Sequence, residues 1–193
     1  MPLARSFYRR DPLLVAPDLL NKLLVAGDRV GRIVEVEAYG GPDDPASHSW
    51  RGRTRRNATM FGAAGLAYLY FTYGMHWCAN ATCGEEGDGL AVLLRALAPV
   101  AGLEAMRTVR PAARRDRDLC SGPAKLCQAL GLGGDHDGAD LVTSDRGLAI
   151  VADGLAPPGR AAVGARIGIG SGPAASYPWR WWVAGDPNVS RAV

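Results

Sequence analysis

Residues 66–80 read LAYLYFTYGMHWCAN, and the way this stretch pairs decides the fold. Tyr68, Tyr70, Phe71, Tyr73 and Trp77 all fall inside it, in a chain whose aromatic share is only 7%. Aromatic and β-branched residues suit a pleated, half-buried surface, so a strand is expected from Leu66 to about Tyr73. Gly74 permits a sharp turn, and Met75–Thr82 reads as the returning strand. Side chains alternate along a strand, which puts Tyr68 and Tyr70 on one face and Tyr73 beside the turn glycine. Two tyrosines as a wall and a third at a tip suit a pocket for a flat ring with a wedge at its mouth. Read alone, the stretch is better taken as a core hairpin whose tyrosine hydroxyls reach solvent.

Working outward, the 193 residues with 48% hydrophobic content are expected to form one domain, residues 1–193, with a full core. No apolar run is long enough to span a bilayer, and MPLARSFYRRDP lacks the apolar centre of a signal peptide. A soluble cytoplasmic protein without a membrane partner is the expectation. Cys78, Cys83, Cys120 and Cys127 form no CxxC pair, which argues against zinc and for reduced thiols. The net charge is +3, and nearly all the positive charge is arginine, with lysine only at Lys22 and Lys125. The planar arginine fork suits phosphate and stays charged when partly buried.

Upstream of the hairpin, Asp11-Pro12 looks like a capped helix start, interrupted or restarted at Ala16-Pro17-Asp18. Leu23–Ala26 and the segment from Arg29 read as a second hairpin turning at Gly27-Asp28. Its return strand, RIVEVEAY (Arg32–Tyr39), alternates: Val34, Val36 and Ala38 point one way, and Ile33, Glu35, Glu37 and Tyr39 the other. Carboxylates at i and i+2 lie roughly 6.5 to 7 Å apart along a strand. Glu35 reads as part of a solvated face. Glu37 differs, because it ends a strand beside the irregular loop GGPDDPASHSWRG, where a general base is often displayed. That loop carries His48, one of three histidines. Arg51, Arg53, Arg55 and Arg56 follow, either a solvated face or a phosphate site. Asn57 is expected to cap a short helix.

Downstream, Gly84–Gly89 is an acidic turn. LAVLLRAL (Leu90–Leu97) is an apolar strand ending at Pro99, in which Arg95 needs a charged partner unless it snorkels to solvent. Leu103–Arg110 reads as a basic-faced helix. Ser121 or Gly122 caps a further helix begun by Pro123, and with Lys125 nearby its start could hold phosphate. Leu148–Ala152, Arg166–Ile169 and Arg180–Val183 read as three short strands.

Taken together, RIVEVEAYGGPDDPASHS, RNATMFG, LAYLYFTYGMHWCAN, GDGLAVLLRALAP and DRDLCSGPAKLCQAL occur in this order. The chain resembles the alkyladenine (3-methyladenine, methylpurine) DNA glycosylase family from about Leu13 to near its end. The resemblance implies an α+β fold, one compact domain around a curved, mainly antiparallel β-sheet with flanking helices. It implies a monomeric, monofunctional enzyme that uses no metal or other cofactor. The enzyme flips damaged purines out of double-stranded DNA and hydrolyses the base–sugar bond without a lyase step. By motif, Glu37 would activate the attacking water and Arg95 would help hold it. Tyr39, Tyr70 and His48 would enclose the base, Ala46 would offer a carbonyl to its edge, and Asn80 would exclude normal guanine. Tyr73 would fill the gap left in the duplex and Met75 would touch the minor groove. The backbone carbonyl near the water would fall at Ile167. Arg51, Arg53, Arg55, Arg56, Ser121 and Lys125 could grip phosphates.

Physical chemistry is compatible with these roles. Unstacking a base costs a few kcal/mol, less at damaged pairs, and an aromatic wedge offsets part of it. A cationic alkylpurine is attracted to aromatic faces and is a good leaving group. The Glu85-Glu86 pair departs from the pattern and would repel DNA if close to it. Two alternatives stay open: a non-catalytic nucleic-acid binder on the same scaffold, and a glycoside hydrolase pairing Glu35 with Glu37.

Overall fold

A computed structural model of the protein describes residues 1–72 and 74–190. Tyr73 lies outside the described residues, so the expected wedge at the tip is not placed. The described chain forms one eight-stranded sheet flanked by short helices, the α+β architecture expected. The strands are β1 (Leu23–Ala26), β2 (Arg29–Tyr39), β3 (Ala67–Thr72), β4 (His76–Cys83), β5 (Leu90–Ala101), β6 (Leu148–Val151), β7 (Ala162–Gly164) and β8 (Arg180–Trp182). Their order is β3-β4-β5-β2-β1-β6, every pairing is antiparallel, and β8 joins β2 and carries β7.

The helices are α1 (Arg5–Tyr8), α2 (Pro12–Leu19), α3 (Leu103–Val109) and α4 (Pro123–Leu130). Asp11 caps α2 by accepting from the Leu13 N–H, and Pro17 is accommodated inside the helix rather than breaking it. Val15, Leu19, Leu126 and Leu130 of α2 and α4 join the main core on one face of the sheet. On the opposite face a second, smaller cluster of Met60, Phe61, Tyr68 and Ala91 lies under Tyr39 and Tyr70. The sheet therefore has its packing core on one side and an aromatic surface on the other.

Four local expectations are corrected. Pro99 does not end β5; it pairs with Gly31 at a register shift, the irregularity at which a strand tolerates proline. Residues 166–169 are not a strand, and the short strand at that place is Ala162–Gly164. Asn57 does not cap the following 3-10 turn with its side chain. It instead ties the preceding loop together, donating to the carbonyls of His48 and Gly52 and accepting from Thr54. Finally, Ile33 shares the main core with Val36 and Ala38, because a register shift between Ile33 and Glu35 breaks strict alternation.

The aromatic hairpin forms as read. Tyr68 faces Asn80, Tyr70 faces Cys78 and Thr72 faces His76. Gly74 sits at φ +65° with nothing within 4 Å of a would-be Cβ, the left-handed position a tight hairpin tip needs.

Candidate active site

Register places the site. Tyr68 pairs with Asn80, Asn80 with Leu93, Leu93 with Glu37 and Glu37 with Arg180. Directly opposed residues in antiparallel strands share a face, so this row runs across five strands under one cleft. The cleft encloses about 700 Å³ and is lined by Tyr39, His48, Tyr68, Tyr70, Asn80 and Arg95, with Ala46 and Ile167 at its margin. That volume lies in the usual range for small-molecule sites.

The walls are aromatic and mutually braced. The His48 ring stands edge-on to Tyr70 with centroids 4.4 Å apart, and Tyr68 and Tyr70 lie 5.6 Å apart. His48 Nδ1 is 3.1 Å from the Tyr68 hydroxyl. His48 is itself exposed, but partial desolvation of its ring in the cleft wall, helped by the Arg56 charge, lowers its proton affinity and favours the neutral imidazole at neutral pH. Burial pushes the Tyr68 phenol up to about 12, and burial likewise raises those of Tyr39 and Tyr70. The wall is thus uncharged and rich in π-faces. Asn80 is fixed at the floor by donating Nδ2 to the Tyr68 carbonyl at 3.0 Å.

Beneath the cleft lies a charged cluster. Glu35 and Glu37 are both fully buried. Glu37 Oε1 accepts from the Ile167 N–H at 2.7 Å and pairs with Arg95 Nη1 at 3.2 Å, while Oε2 accepts from the Tyr39 hydroxyl at 3.1 Å. Burial raises the Glu37 proton affinity above that of an ordinary carboxylate. Arg95, the Ile167 N–H and the Tyr39 hydroxyl oppose that rise, and the Glu35 charge adds to it. The carboxylate is roofed by these three partners, each of which lines the cleft. It is not displayed openly at the strand end, where its place before the irregular loop predicts it.

Arg95 reaches both carboxylates because of a bulge. Glu35 pairs with Ala96 and Val36 with Leu94, so Arg95 is the extra residue of β5. Bulges redirect side chains in this way beside functional sites. Its Nε lies 3.3 Å from Glu35 and its Nη1 3.2 Å from Glu37. The solvated role expected for Glu35 is wrong: it accepts also from Arg180 Nη1 at 3.0 Å and from the Ser190 N–H at 2.7 Å. β8 and the segment around Ser190 cover a face that β2 alone would leave wet.

Two further residues escaped sequence reading. Asp44 and Arg166 are buried and joined by two contacts, Nη1–Oδ2 at 2.5 Å and Nη2–Oδ1 at 2.8 Å. Asp44 accepts from the Gly40 and Ala46 N–H groups, and Arg166 stacks 4.7 Å over Tyr39 and donates to the Ala38 carbonyl. This pair holds the loop after β2 against the ring of Tyr39. The available signals were an aspartate in a Gly/Pro loop and a lone arginine in GARIG, and neither is specific.

The candidate DNA-facing residues lie outside the cleft. Met75 is 66% exposed, and Phe71 beside the tip is also exposed. Arg51, Arg53, Arg55 and Arg56 are all exposed, with Arg56 anchored on the Phe71 carbonyl at 2.6 Å. Ser121 and Lys125, 3.4 Å apart, line a second depression of about 690 Å³ with Arg115 and Arg117. This depression shares Arg95, Pro123 and Ile167 with the main cleft. Glu85 is held by Arg9 at 2.6 Å, at the end of β4 away from the tip, roughly 25 Å along the strand.

The fold thus sets an aromatic cleft over a buried, arginine-bound carboxylate on an open antiparallel sheet that carries exposed arginines. The sequence matches the family of methylpurine-DNA glycosylases over residues 6–187. The chain belongs to that family. It is 60% identical over 190 residues to a protein of Burkholderia orbicola (strain MC0-3) provisionally named a 3-methyladenine DNA glycosylase, covering 98% of this chain and 91% of the other. Similarly named proteins of Rhodopseudomonas palustris (strain BisB18) and Streptomyces avermitilis are 48% and 47% identical. Each match covers 98% of this chain and, respectively, 90% and 91% of the relative. Its class of activity is therefore DNA glycosylase, in DNA repair. No helix among the described residues is long and apolar enough to cross a membrane.

Proposed function

We propose that the protein flips alkylated purines from duplex DNA into the cleft and hydrolyses the N-glycosidic bond with a water activated by Glu37, leaving an abasic site. The observation that carries this is the cross-strand row of Tyr68, Asn80, Leu93 and Glu37, which sets a ring-binding wall and a carboxylate under one opening. A cationic purine between Tyr39, His48 and Tyr70 meets aromatic faces and a neutral imidazole, while the Arg95 charge at the cleft is paired with Glu35 and Glu37. Its positive charge makes it a good leaving group, and little acid catalysis is required. As the bond breaks, positive charge develops on the sugar, which the Glu37 carboxylate stabilises. The same carboxylate takes a proton from water as the water's oxygen bonds to the anomeric carbon, with Arg95 and the backbone at Ile167 orienting that water.

Access to Glu37 runs through the Tyr39 hydroxyl. A carboxylate has about four lone-pair sites, so Oε2 retains acceptor capacity beyond its one bond from Tyr39. Displacement of that hydroxyl when a purine stacks on the ring admits water from the cleft. Asn80, held on the Tyr68 carbonyl, leaves no room for the exocyclic amine of guanine. The exposed hairpin tip and Arg51, Arg53, Arg55 and Arg56 face the duplex, with Ser121 and Lys125 on a flanking phosphate.

A single-turnover base-release assay over duplexes carrying 3-methyladenine, 7-methylguanine, hypoxanthine or ethenoadenine tests the reading. Glu37→Gln is expected to lower release by about 10² to 10⁴ while duplex binding is kept. Release unchanged in Glu37→Gln would remove the assigned base, and binding without release by the wild type would favour a non-catalytic binder.

A further inference from the structure

Glu35 is a fully buried carboxylate that the chemistry just described does not use. Its surroundings are unusually complete for a residue without a role. Oε1 accepts from Arg95 Nε at 3.3 Å and Arg180 Nη1 at 3.0 Å, and Oε2 from the Ser190 N–H at 2.7 Å. These partners come from β5, β8 and the segment after β8, at sequence separations of 60, 145 and 155. Two acids, Glu35 and Glu37, and two arginines, Arg95 and the partly exposed Arg180, thus form one cluster of paired charges.

We propose that Glu35 is the positioning residue of the active site: it clamps the Nε edge of Arg95 so that Nη1 addresses Glu37, and its negative charge keeps the two arginines from turning Glu37 into an inert ion-pair partner. This rests on Glu37 acting as the base.

The geometry gives the clamp its direction. An arginine fork is rigid and planar, so fixing Nε fixes where both terminal nitrogens point. With Nε on Glu35 and Nη2 3.4 Å from the Ser190 hydroxyl, Nη1 is the nitrogen left for Glu37. Without Glu35, Arg95 is free to swing both terminal nitrogens onto Glu37. A bidentate pair occupies both carboxylate oxygens and lowers their basicity. The charge argument runs the same way. The groups facing Glu37 are Glu35 and Tyr39 on its own strand, Arg95 on β5, Cys78 on β4, Arg180 opposite it on β8 and the Ile167 N–H. Among these Glu35 is the nearby acidic side chain that favours a proton on Glu37. A base held too firmly ionised by arginine takes a proton from water poorly.

Two substitutions of opposite charge effect separate this role from mere packing. Glu35→Gln keeps size and removes the charge; Arg180→Gln removes the cation that neutralises Glu35. Single-turnover base release from a duplex with one 7-methylguanine, measured from pH 5 to 9, is expected to fall by about 10 to 100-fold at neutral pH in Glu35→Gln, with duplex binding unchanged. Its acidic limb moves to lower pH. In Arg180→Gln the acidic limb moves to higher pH. The Glu37 carboxyl, followed by carbon-13 NMR of glutamate-labelled protein without DNA, titrates in the same opposed directions. Limbs and titrations that stay in place, or move the same way in both variants, overturn the proposal. If Glu35→Gln does not fold, the direction of the Arg180→Gln titration decides. A wild type that releases no base, with the NMR shifts still opposed, would refute the function proposed above and leave the electrostatic clamp standing.

Discussion

The guanidinium of Arg166 lies 4.7 Å over the ring of Tyr39, and the hydroxyl of that ring donates to Glu37 Oε2 at 3.1 Å. One tyrosine therefore joins a buried cation to the proposed catalytic carboxylate. Whatever moves Arg166 moves the roof of Glu37, and Arg166 is itself fixed by Asp44.

Breaking the Asp44–Arg166 pair from either side leaves an uncompensated buried charge. Asp44→Ala and Arg166→Met are each expected to destabilise the protein by about 3 to 5 kcal/mol. The double substitution is expected to cost less than the sum, since it leaves no orphaned charge. Urea unfolding of the four proteins closes the cycle; additive effects would mean the two side chains act independently.

Glu37 should be a stability liability. Burial raises its proton affinity in the folded state above the usual 4.5. Below that value both states are protonated and the liability is absent. As pH rises from 4.5 through the raised folded value, the unfolded chain ionises first and stability is lost. Glu37→Gln is then expected to melt at a higher temperature than wild type at pH 7 to 8, with the gap closing on acidification. Calorimetry at several pH values measures it. A lower melting temperature for Glu37→Gln at pH 8 would show that the Arg95 pair outweighs desolvation. The trade is a familiar one, since active sites are often built at the expense of stability.

His48 carries the opposite sign. Partial desolvation, then Arg56, lowers its proton affinity in the fold, an effect that solvent screening keeps small because His48 is exposed. The unfolded chain therefore takes up a proton first as pH falls below about 6.5, and stability is lost over that range. Arg56→Ala removes one of the two causes, so the His48 titration is expected to move to higher pH by proton NMR. No movement would mean that the Arg56 charge does not reach the ring.

Asn80, tied to the Tyr68 carbonyl at the cleft floor, is the side chain proposed to reject the exocyclic amine of guanine. Asn80→Ala is expected to raise release of undamaged guanine relative to wild type, by roughly 10-fold or more, because steric rejection of this size is worth about 1 to 3 kcal/mol. Release from unmodified duplex over many hours reads it out. An unchanged rate would place the discrimination elsewhere in the cleft.

The aromatic hairpin and the Glu37 strand were legible because each depends on a local pattern: tyrosines two apart, a glycine at a turn, a carboxylate before an irregular loop. Arg95 was legible as a charge that needed a partner. Its partners were not fully legible, because the bulge that inserts Arg95 between Glu35 and Glu37 is a property of two paired strands. Glu35 was misread for a related reason. A strand with alternating polarity implies one wet face, and nothing local to β2 announces that β8 and Ser190 will cover it. Arg166 and Asp44 lie 122 residues apart in ordinary loop sequence, so only folding brings them together. Whether Tyr73 serves as a wedge lies outside the described residues.

The bond from the Ser190 N–H to Glu35 has a bearing on biosynthesis. A ribosome releases Glu35 and Glu37 first, then Arg95, and Arg180 and Ser190 last of the five. Until then the two acids lack the cations and the backbone donor that complete their burial. A nascent chain that lacks Arg180 and Ser190 should therefore lack the full set of contacts around Glu35, and with it the arrangement proposed to make Glu37 a base. The cell would be spared a half-made enzyme able to strip bases from its chromosome.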